Sequence, residues 1–316
     1  MTIFILLLLV VGGAAFGYTR FQAERIEAQY PPAGEFADVA GVRLHYLDVP
    51  AEASEKPPVV FLHGASGNLH DQRGAFEAKL KGSRRMLFID RPGHGYSQRG
   101  EAETPAQQAD LIAGLLDQLG IERAVIVGHS LGSASTAALG VLHPEKVQGL
   151  VFLAPATHVW PGGVTWYYSI AALPVIGNMF TETLSLPVGM TALETGTKSV
   201  FDPNAVPQGY VENAAIPVFL RPSVFRANAR DVAGLKGFVT EFSKRYSEIK
   251  APTVIITGDT DDIVAPSIHS IGLERDIEGA ELIILPGVGH KPDYVATDRI
   301  IQAIDKVSFA KPVLTN

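Results

Sequence analysis

Short runs of apolar residues recur along the chain and are separated by segments with helical spacing. A continuous apolar run of four to eight residues, bounded by turn residues, is typical of a strand buried on both faces. Residues 104–119 instead predict a helix, because Pro105 suits a first turn and Leu111, Leu115 and Leu119 recur on one face. The runs that predict buried strands are 59–62, 86–89, 124–127, 150–153, 253–258 and 281–286, and 42–47 predicts a half-exposed strand.

This alternation of strands and helices predicts an α/β fold with a mostly parallel, doubly wound sheet of eight strands, covered by helices on both faces. The alternation stops at Pro155 and resumes near Thr253. We therefore predict a core in two parts, 36–154 and 247–316, with residues 155–246 inserted between them as a helical lid.

The N-terminus forms a separate apolar segment. The first nineteen residues carry no charged side chain, and an apolar helix of that length can just span a bilayer. Residues 1–20 are expected to be an uncleaved membrane anchor, with an inner membrane of bacterial type as the location. The alternatives are a signal peptide, which would leave a secreted or periplasmic protein, and an apolar helix packed on the protein itself. Residues 21–35 are expected to be a linker.

Composition narrows the classes of function. The 316 residues are 47% hydrophobic and carry a net charge of −7, with no basic run. We therefore expect no nucleic-acid partner. The chain has no cysteine, which excludes disulfides and thiolate chemistry.

The segment Gly128-His129-Ser130-Leu131-Gly132 directly follows a predicted strand and precedes a predicted helix. In a G-x-S-x-G turn between strand and helix, the serine hydroxyl is presented at a sharp, strained bend. A serine hydroxyl needs an adjacent base, oriented by a carboxylate, to act as a nucleophile. Developing negative charge on a carbonyl oxygen needs preorganised N–H donors.

Five motifs in order resemble the α/β-hydrolase superfamily, in the lid-bearing branch that holds esterases, lipases, epoxide hydrolases and carbon–carbon bond hydrolases. The motifs are His63-Gly64, residues 90–95 (Asp-Arg-Pro-Gly-His-Gly), the serine turn, residues 258–264 (Gly-Asp-Thr-Asp-Asp-Ile-Val) and Gly289-His290. The resemblance covers residues 36–308. It implies that Ser130 is the nucleophile and His290 the base, whereas His63, His94 and His129 are interpreted as structural.

The acid and the oxyanion hole also follow from this resemblance. The family pattern Gly-x-x-Asp-x-x-Val places the acid at Asp261, with Asp262 as the main rival. The oxyanion donors are expected to be the backbone N–H groups of Ala65 and Leu131. No cofactor or metal is expected, because the histidines are not paired at ligand spacing and no phosphate-binding glycine loop follows a strand.

The nucleophile predicts acyl transfer, since related epoxide hydrolases and dehalogenases have aspartate where Ser130 stands. The leading interpretation is a serine hydrolase acting on a small-molecule ester with an apolar acyl or alcohol part. Aromatic residues of the insertion motivate this preference: Trp160, Trp166, Tyr167, Phe180, Phe219 and Phe225. The alternatives are a carbon–carbon bond hydrolase, a cofactor-free haloperoxidase-like enzyme and a non-catalytic membrane-tethered binding module. Sequence alone leaves the substrate and the oligomeric state open.

Overall fold

A computed structural model describes residues 2–51 and 54–310. An eight-stranded sheet lies at the centre of the described chain. The strands are β1 (Glu35–Val39), β2 (Val42–Val49), β3 (Val59–Leu62), β4 (Met86–Ile89), β5 (Ala124–His129), β6 (Val147–Leu153), β7 (Thr253–Gly258) and β8 (Glu281–Leu285). Their order in the sheet is β1-β2-β4-β3-β5-β6-β7-β8. Strand β2 is antiparallel to both β1 and β4, and all other neighbouring pairs are parallel. The predicted fold class is confirmed.

Helices flank the sheet, and several begin with recognisable signals. The side chain of Thr104 caps α3 together with Gln107, and Pro105 occupies its first turn. The helices are α1 (Thr2–Gln29), α2 (Leu69–Leu80), α3 (Pro105–Gln118), α4 (Gly132–Leu142), α5 (Trp166–Ala172), α6 (Val175–Phe180), α7 (Leu186–Phe201), α8 (Tyr210–Asn213), α9 (Pro222–Phe242), α10 (Ser270–Asp276), α11 (Pro292–Val295) and α12 (Thr297–Phe309). Turns of 3-10 or π-helix are Pro144–Lys146, Thr181–Ser185, Ile216–Leu220 and Ser243–Glu248.

Successive residues of the central strands point to opposite faces of the sheet and form two separate cores. In β3, Val60 and Leu62 join the core that also contains residues of α3 and α4. Val59 and Phe61 join the core that contains residues of α2 and α12. Burial on both faces explains why these strands are continuous apolar runs.

Helix α1 corrects the prediction for the N-terminus. Among the described residues, no helix is long and apolar enough to cross a bilayer. The expected membrane anchor at 1–20 and the membrane localisation predicted from it are therefore wrong, and the expected membrane partner is not supported. The helix also continues through most of the predicted linker and ends at Gln29. Its second half packs on residues 155–246. In this half of α1, Ala23 and Ile26 are buried, and Glu27 accepts a hydrogen bond from Arg221 at 2.8 Å.

Residues 155–246, hereafter the helical insertion, connect β6 to the segment before β7 and contain no strand in the described chain. The loops that follow parallel strands all lie at the carboxyl ends of those strands, at one edge of the sheet. Ligand sites of α/β folds lie at this edge. The loops after β3, β5, β7 and β8 and several insertion residues line one cavity. Its description as a lid remains a prediction.

Candidate active site

Ser130 lies at a strained turn between β5 and α4. Its φ angle is +51°, in the left-handed region that non-glycine residues rarely adopt. The turn is held by two backbone hydrogen bonds, from the Ser130 N–H to the Leu153 carbonyl at 2.9 Å and from the Ala156 N–H to the Ser130 carbonyl at 3.1 Å. The neighbouring strand β6 therefore fixes the direction of the Ser130 side chain.

Neighbouring atoms lie so close to Gly128 and Gly132 that neither position has room for a side chain. A Cβ atom at Gly132 would lie 2.4 Å from the Leu62 carbonyl oxygen and 2.5 Å from that of His63. A Cβ at Gly128 would lie 2.1 Å from the Thr136 hydroxyl oxygen. Helix α4 can therefore pack this closely against the end of β3 only if position 132 has no side chain.

Ser130, His290 and Asp261 form a continuous hydrogen-bonded series. His290 Nε2 lies 2.9 Å from Ser130 Oγ, and His290 Nδ1 lies 2.8 Å from Asp261 Oδ2. All three side chains are nearly buried. They come from the loops after β5, β8 and β7, so three loops at one edge of the sheet supply them.

Asp261 is held in place by its own loop. Its Oδ1 accepts hydrogen bonds from the Ile263 and Val264 N–H groups at 2.9 Å each. Burial alone would raise the pKa of Asp261, but the hydrogen bond and charge of His290, together with these two N–H groups, hold the pKa below its usual range. The rival Asp262 is exposed, so among the candidate acids Asp261 is the one whose carboxylate contacts His290.

The expected oxyanion donors lie beside the serine. Ala65 and Leu131 both line the cavity, and within residues 2–51 and 54–310 neither N–H donates to a backbone carbonyl oxygen. A Cβ at Gly64 would lie 3.0 Å from the Cβ of Ser130, which shows how closely the loop carrying Ala65 passes the serine turn. The assignment of these two amides as oxyanion donors remains a prediction.

The other histidines near the serine have fixed structural partners. His63 accepts from the Arg91 N–H at 3.1 Å and donates to the Gly64 carbonyl at 2.8 Å. His129 donates to the His290 carbonyl at 2.9 Å. Burial, reinforced by nearby positive charge, lowers the pKa of His63, His94 and His129 well below the ordinary value. These side chains are therefore neutral near pH 7.

The cavity above Ser130 has a volume of about 860 Å³. This is within the range of small-molecule sites. Its lining is mainly apolar and comes largely from the helical insertion. All six aromatic residues singled out from the sequence line it: Trp160, Trp166, Tyr167, Phe180, Phe219 and Phe225.

A buried group of charges lies next to His290. The Lys291 ammonium is 2.9 Å from both oxygens of Asp71 and 3.0 Å from Asp293, and Tyr210 donates to Asp71 at 2.8 Å. Asp71, His129 and Asp293 have ligand atoms within 4.8 Å of one another, a spacing that a metal could use. The ammonium already supplies the positive charge there, so we assign no metal to this group.

Sequence reasoning missed this group and the polar contacts of the insertion. Lys291 could have been noticed because it follows His290 directly, but Asp71 is 220 residues away and carries no motif. Asn228 of α9, which bonds the loop after Ala65, likewise has no local signal.

Comparisons with known proteins identify the family of the chain. The family model described as alpha/beta hydrolase fold matches residues 57–293. The chain is 27% identical to a 2-hydroxy-6-oxononadienedioate/2-hydroxy-6-oxononatrienedioate hydrolase of Paraburkholderia phymatum, covering 83% of this chain and 90% of that protein. It is 26% identical to an sn-1-specific diacylglycerol lipase of Mus musculus, covering 87% of each.

Among solved structures, the enol-lactonase from Burkholderia xenovorans LB400 superposes with a TM-score of 0.70 at 21% identity, covering 86% of this chain and 99% of that one. At this identity the likeness shows the fold alone. The family model, however, spans most of the sequence and includes the serine turn and the loops of Asp261 and His290. The chain therefore belongs to the α/β-hydrolase fold family, and a hydrolase function is supported.

Proposed function

We propose that this hydrolase cleaves a carboxylic ester with an apolar acyl or alcohol part, through an acyl-enzyme on Ser130. The observation that carries the proposal is the hydrogen-bonded series from Ser130 through His290 to Asp261, placed in a mainly apolar cavity. A serine, a histidine and a carboxylate in this arrangement can perform acyl transfer on unrelated folds.

In the proposed reaction, His290 Nε2 removes the Ser130 hydroxyl proton as Oγ attacks the ester carbonyl carbon. The carbonyl oxygen becomes an oxyanion and accepts hydrogen bonds from the Ala65 and Leu131 N–H groups. The tetrahedral intermediate collapses, and His290 returns the proton to the leaving alcohol. A water molecule, deprotonated by His290, then attacks the carbonyl carbon of the acyl-enzyme. The bond between Ser130 Oγ and the acyl carbon breaks, His290 returns the proton to Oγ, and the carboxylic acid is released.

The charge of the cavity favours a neutral ester over a dicarboxylate. Among the described lining residues, Lys291 is the single cationic side chain, and Asp71 and Asp293 already neutralise it. Asp262 adds further negative charge to the lining. A carboxylate of the substrate would lose its hydration without gaining a cationic partner, which is costly.

Carbon–carbon bond hydrolysis is the second candidate, favoured by the similarity to the P. phymatum hydrolase. The two candidates are separated by assaying p-nitrophenyl esters of graded chain length beside a vinylogous 1,5-diketone acid. We expect ester turnover that increases from acetate to medium-chain esters and is abolished by Ser130→Ala. Turnover of the diketone acid with no turnover of any ester would overturn the proposed substrate class.

A further inference from the structure

The loop that carries Ala65 is attached to the helical insertion at the next residue, Ser66. The Ser66 N–H donates to Asn228 Oδ1 at 2.7 Å, and Asn228 Nδ2 donates to Ser66 Oγ at 3.3 Å. Ser66 Oγ also lies 3.2 Å from the hydroxyl of Tyr168. Asn228 belongs to α9 and Tyr168 to α5, so two helices of the insertion hold one residue of this loop.

The conformation of Ser66 makes this attachment necessary. Its φ angle is +57°, in the left-handed region that costs free energy for a residue with a Cβ. Such a conformation persists when the surroundings fix it, and the hydrogen bond to Asn228 is the contact that holds its N–H. The peptide between Ala65 and Ser66 is thereby oriented, and it adjoins the peptide between Gly64 and Ala65 that contains the Ala65 N–H.

The same helix reaches the other side of this loop through Arg91. Arg91 donates to the His63 carbonyl at 2.8 Å and to the Gly64 carbonyl at 3.4 Å. Its guanidinium also donates to Asp231 at 3.0 Å, and Asp231 lies three residues after Asn228 on α9. Arg91, Asp231 and Asn228 are all buried, so water does not compete strongly for these hydrogen bonds.

We propose that Asn228 is a positioning residue that couples the placement of helix α9 to the oxyanion hole, so that the Ala65 N–H is correctly oriented only when the insertion is seated on the core. This inference rests on the proposed acyl-transfer function. Oxyanion donors act on charge that develops in the transition state. Loss of the Asn228 contact should therefore lower kcat and leave KM nearly unchanged.

The test compares Asn228→Leu, which keeps the size and removes the acceptor, with Asn228→Asp, which keeps an oxygen acceptor for the Ser66 N–H. Removing one oxyanion donor costs about 10²–10³-fold in kcat, and a displaced donor costs less. We expect a kcat loss of about 10- to 100-fold for the leucine variant on p-nitrophenyl esters, and recovery of most of that loss in the aspartate variant.

A second readout separates orientation of the oxyanion hole from general damage. A trifluoromethyl ketone forms a hemiketal oxyanion with a serine nucleophile, whereas the matching methyl ketone binds largely as the neutral ketone. We expect Asn228→Leu to weaken the trifluoromethyl ketone in proportion to its loss in kcat and to leave the methyl ketone unchanged. Equal weakening of both inhibitors, or a leucine variant with the kcat of the wild type, would overturn the coupling.

Controls keep the outcome interpretable. Thr181→Val removes a buried hydroxyl of the insertion that donates to the nearby Asn178 carbonyl at 3.2 Å, and neither residue is among the described residues that line the cavity. We expect this variant to retain full kcat. If the leucine variant does not fold, Asn228→Ala removes the same acceptor with less steric demand and is measured in the same way. A wild-type enzyme that hydrolyses no ester would refute the proposed function, whereas an active wild type with unaltered variants would refute only this inference.

Discussion

Lys291 donates hydrogen bonds from its ammonium to both carboxylate oxygens of Asp71, at 2.9 Å each, and both side chains are almost fully buried. Asp293 lies 3.0 Å from the same ammonium. Burial alone would lower the pKa of Lys291, but the charges of Asp293 and Asp71 outweigh it and raise the pKa. Lys291 is therefore positively charged, and its ion pair with Asp71 connects the loop after β8 to helix α2.

The first prediction concerns this buried ion pair. Lys291→Met should lower the free energy of unfolding by about 3–5 kcal/mol, because it leaves buried carboxylates without a cation. Urea denaturation measures the change. Lys198→Met, which removes an exposed ion pair with Glu194, is the matched control and should leave stability unchanged. Equal stability of the two variants would contradict the structural role of Lys291.

The second prediction assigns the acid. Asp261→Asn should lower kcat on the order of 10⁴-fold, because asparagine cannot hold His290 in the required tautomer or stabilise its charged form. Asp262→Asn should change kcat little, because Asp262 is exposed and its carboxylate has no contact with His290 in the described structure. Steady-state kinetics on one ester compares the two, and the reverse order of losses would reassign the acid to Asp262.

The third prediction tests the close approach at the serine turn. Gly132→Ala would place a methyl group 2.4 Å from a backbone oxygen that cannot easily move. We expect a loss of stability of about 1–3 kcal/mol together with loss of activity. Gly237→Ala is the control, because this exposed glycine of α9 has open space around it and alanine favours a helix. Thermal denaturation should rank the control at or above the wild type and Gly132→Ala below it.

The fourth prediction follows from the buried neutral histidines. The pKa of His63, His94 and His129 is depressed in the folded protein, whereas in the unfolded chain each titrates near the ordinary value of about 6.5. Below that pH the unfolded chain binds protons that the folded protein does not. The stability that these histidines contribute is therefore present above about pH 6.5 and is lost as the pH falls toward their folded pKa values.

Each such histidine lowers the free energy of unfolding by up to about 1.4 kcal/mol per pH unit in that window. His269 behaves in the same way, because burial lowers its pKa to about 4. Urea denaturation at pH 7.5 and at pH 5.5 should show lower stability at the acidic value. Equal stability at the two pH values would show that these histidines are not neutral in the folded protein.

Much of the fold could be predicted because the buried parallel strands are short apolar runs with clear boundaries. Residues 59–62, 86–89 and 253–258 are strands over the ranges that their patterns predict. The edge strand β1 lies outside the predicted strands, because residues 35–39 contain no continuous apolar run and only Val39 among them is buried. The prediction for the N-terminus failed because it rests on the apolar residues 1–20, whereas α1 continues with charged residues to Gln29 and its second half packs on the insertion.

The candidate site combines residues that lie in local motifs with contacts between distant parts of the sequence. Ser130, Asp261 and His290 lie in local motifs, and the structure brings their side chains within hydrogen-bonding distance. The contact between Ser66 and Asn228 joins residues 162 positions apart, and no local pattern marks either of them. Such contacts arise from how the insertion packs on the core, which a single sequence does not specify.

The central claim is that Ser130 becomes acylated, and mass spectrometry of the intact protein during turnover tests it most directly. With a slowly deacylating p-nitrophenyl ester, we predict a mass increase equal to one acyl group, located by peptide mapping on the peptide of residue 130 and absent in Ser130→Ala. Ester turnover that persists in Ser130→Ala, or an acyl group located on another residue, would contradict the account.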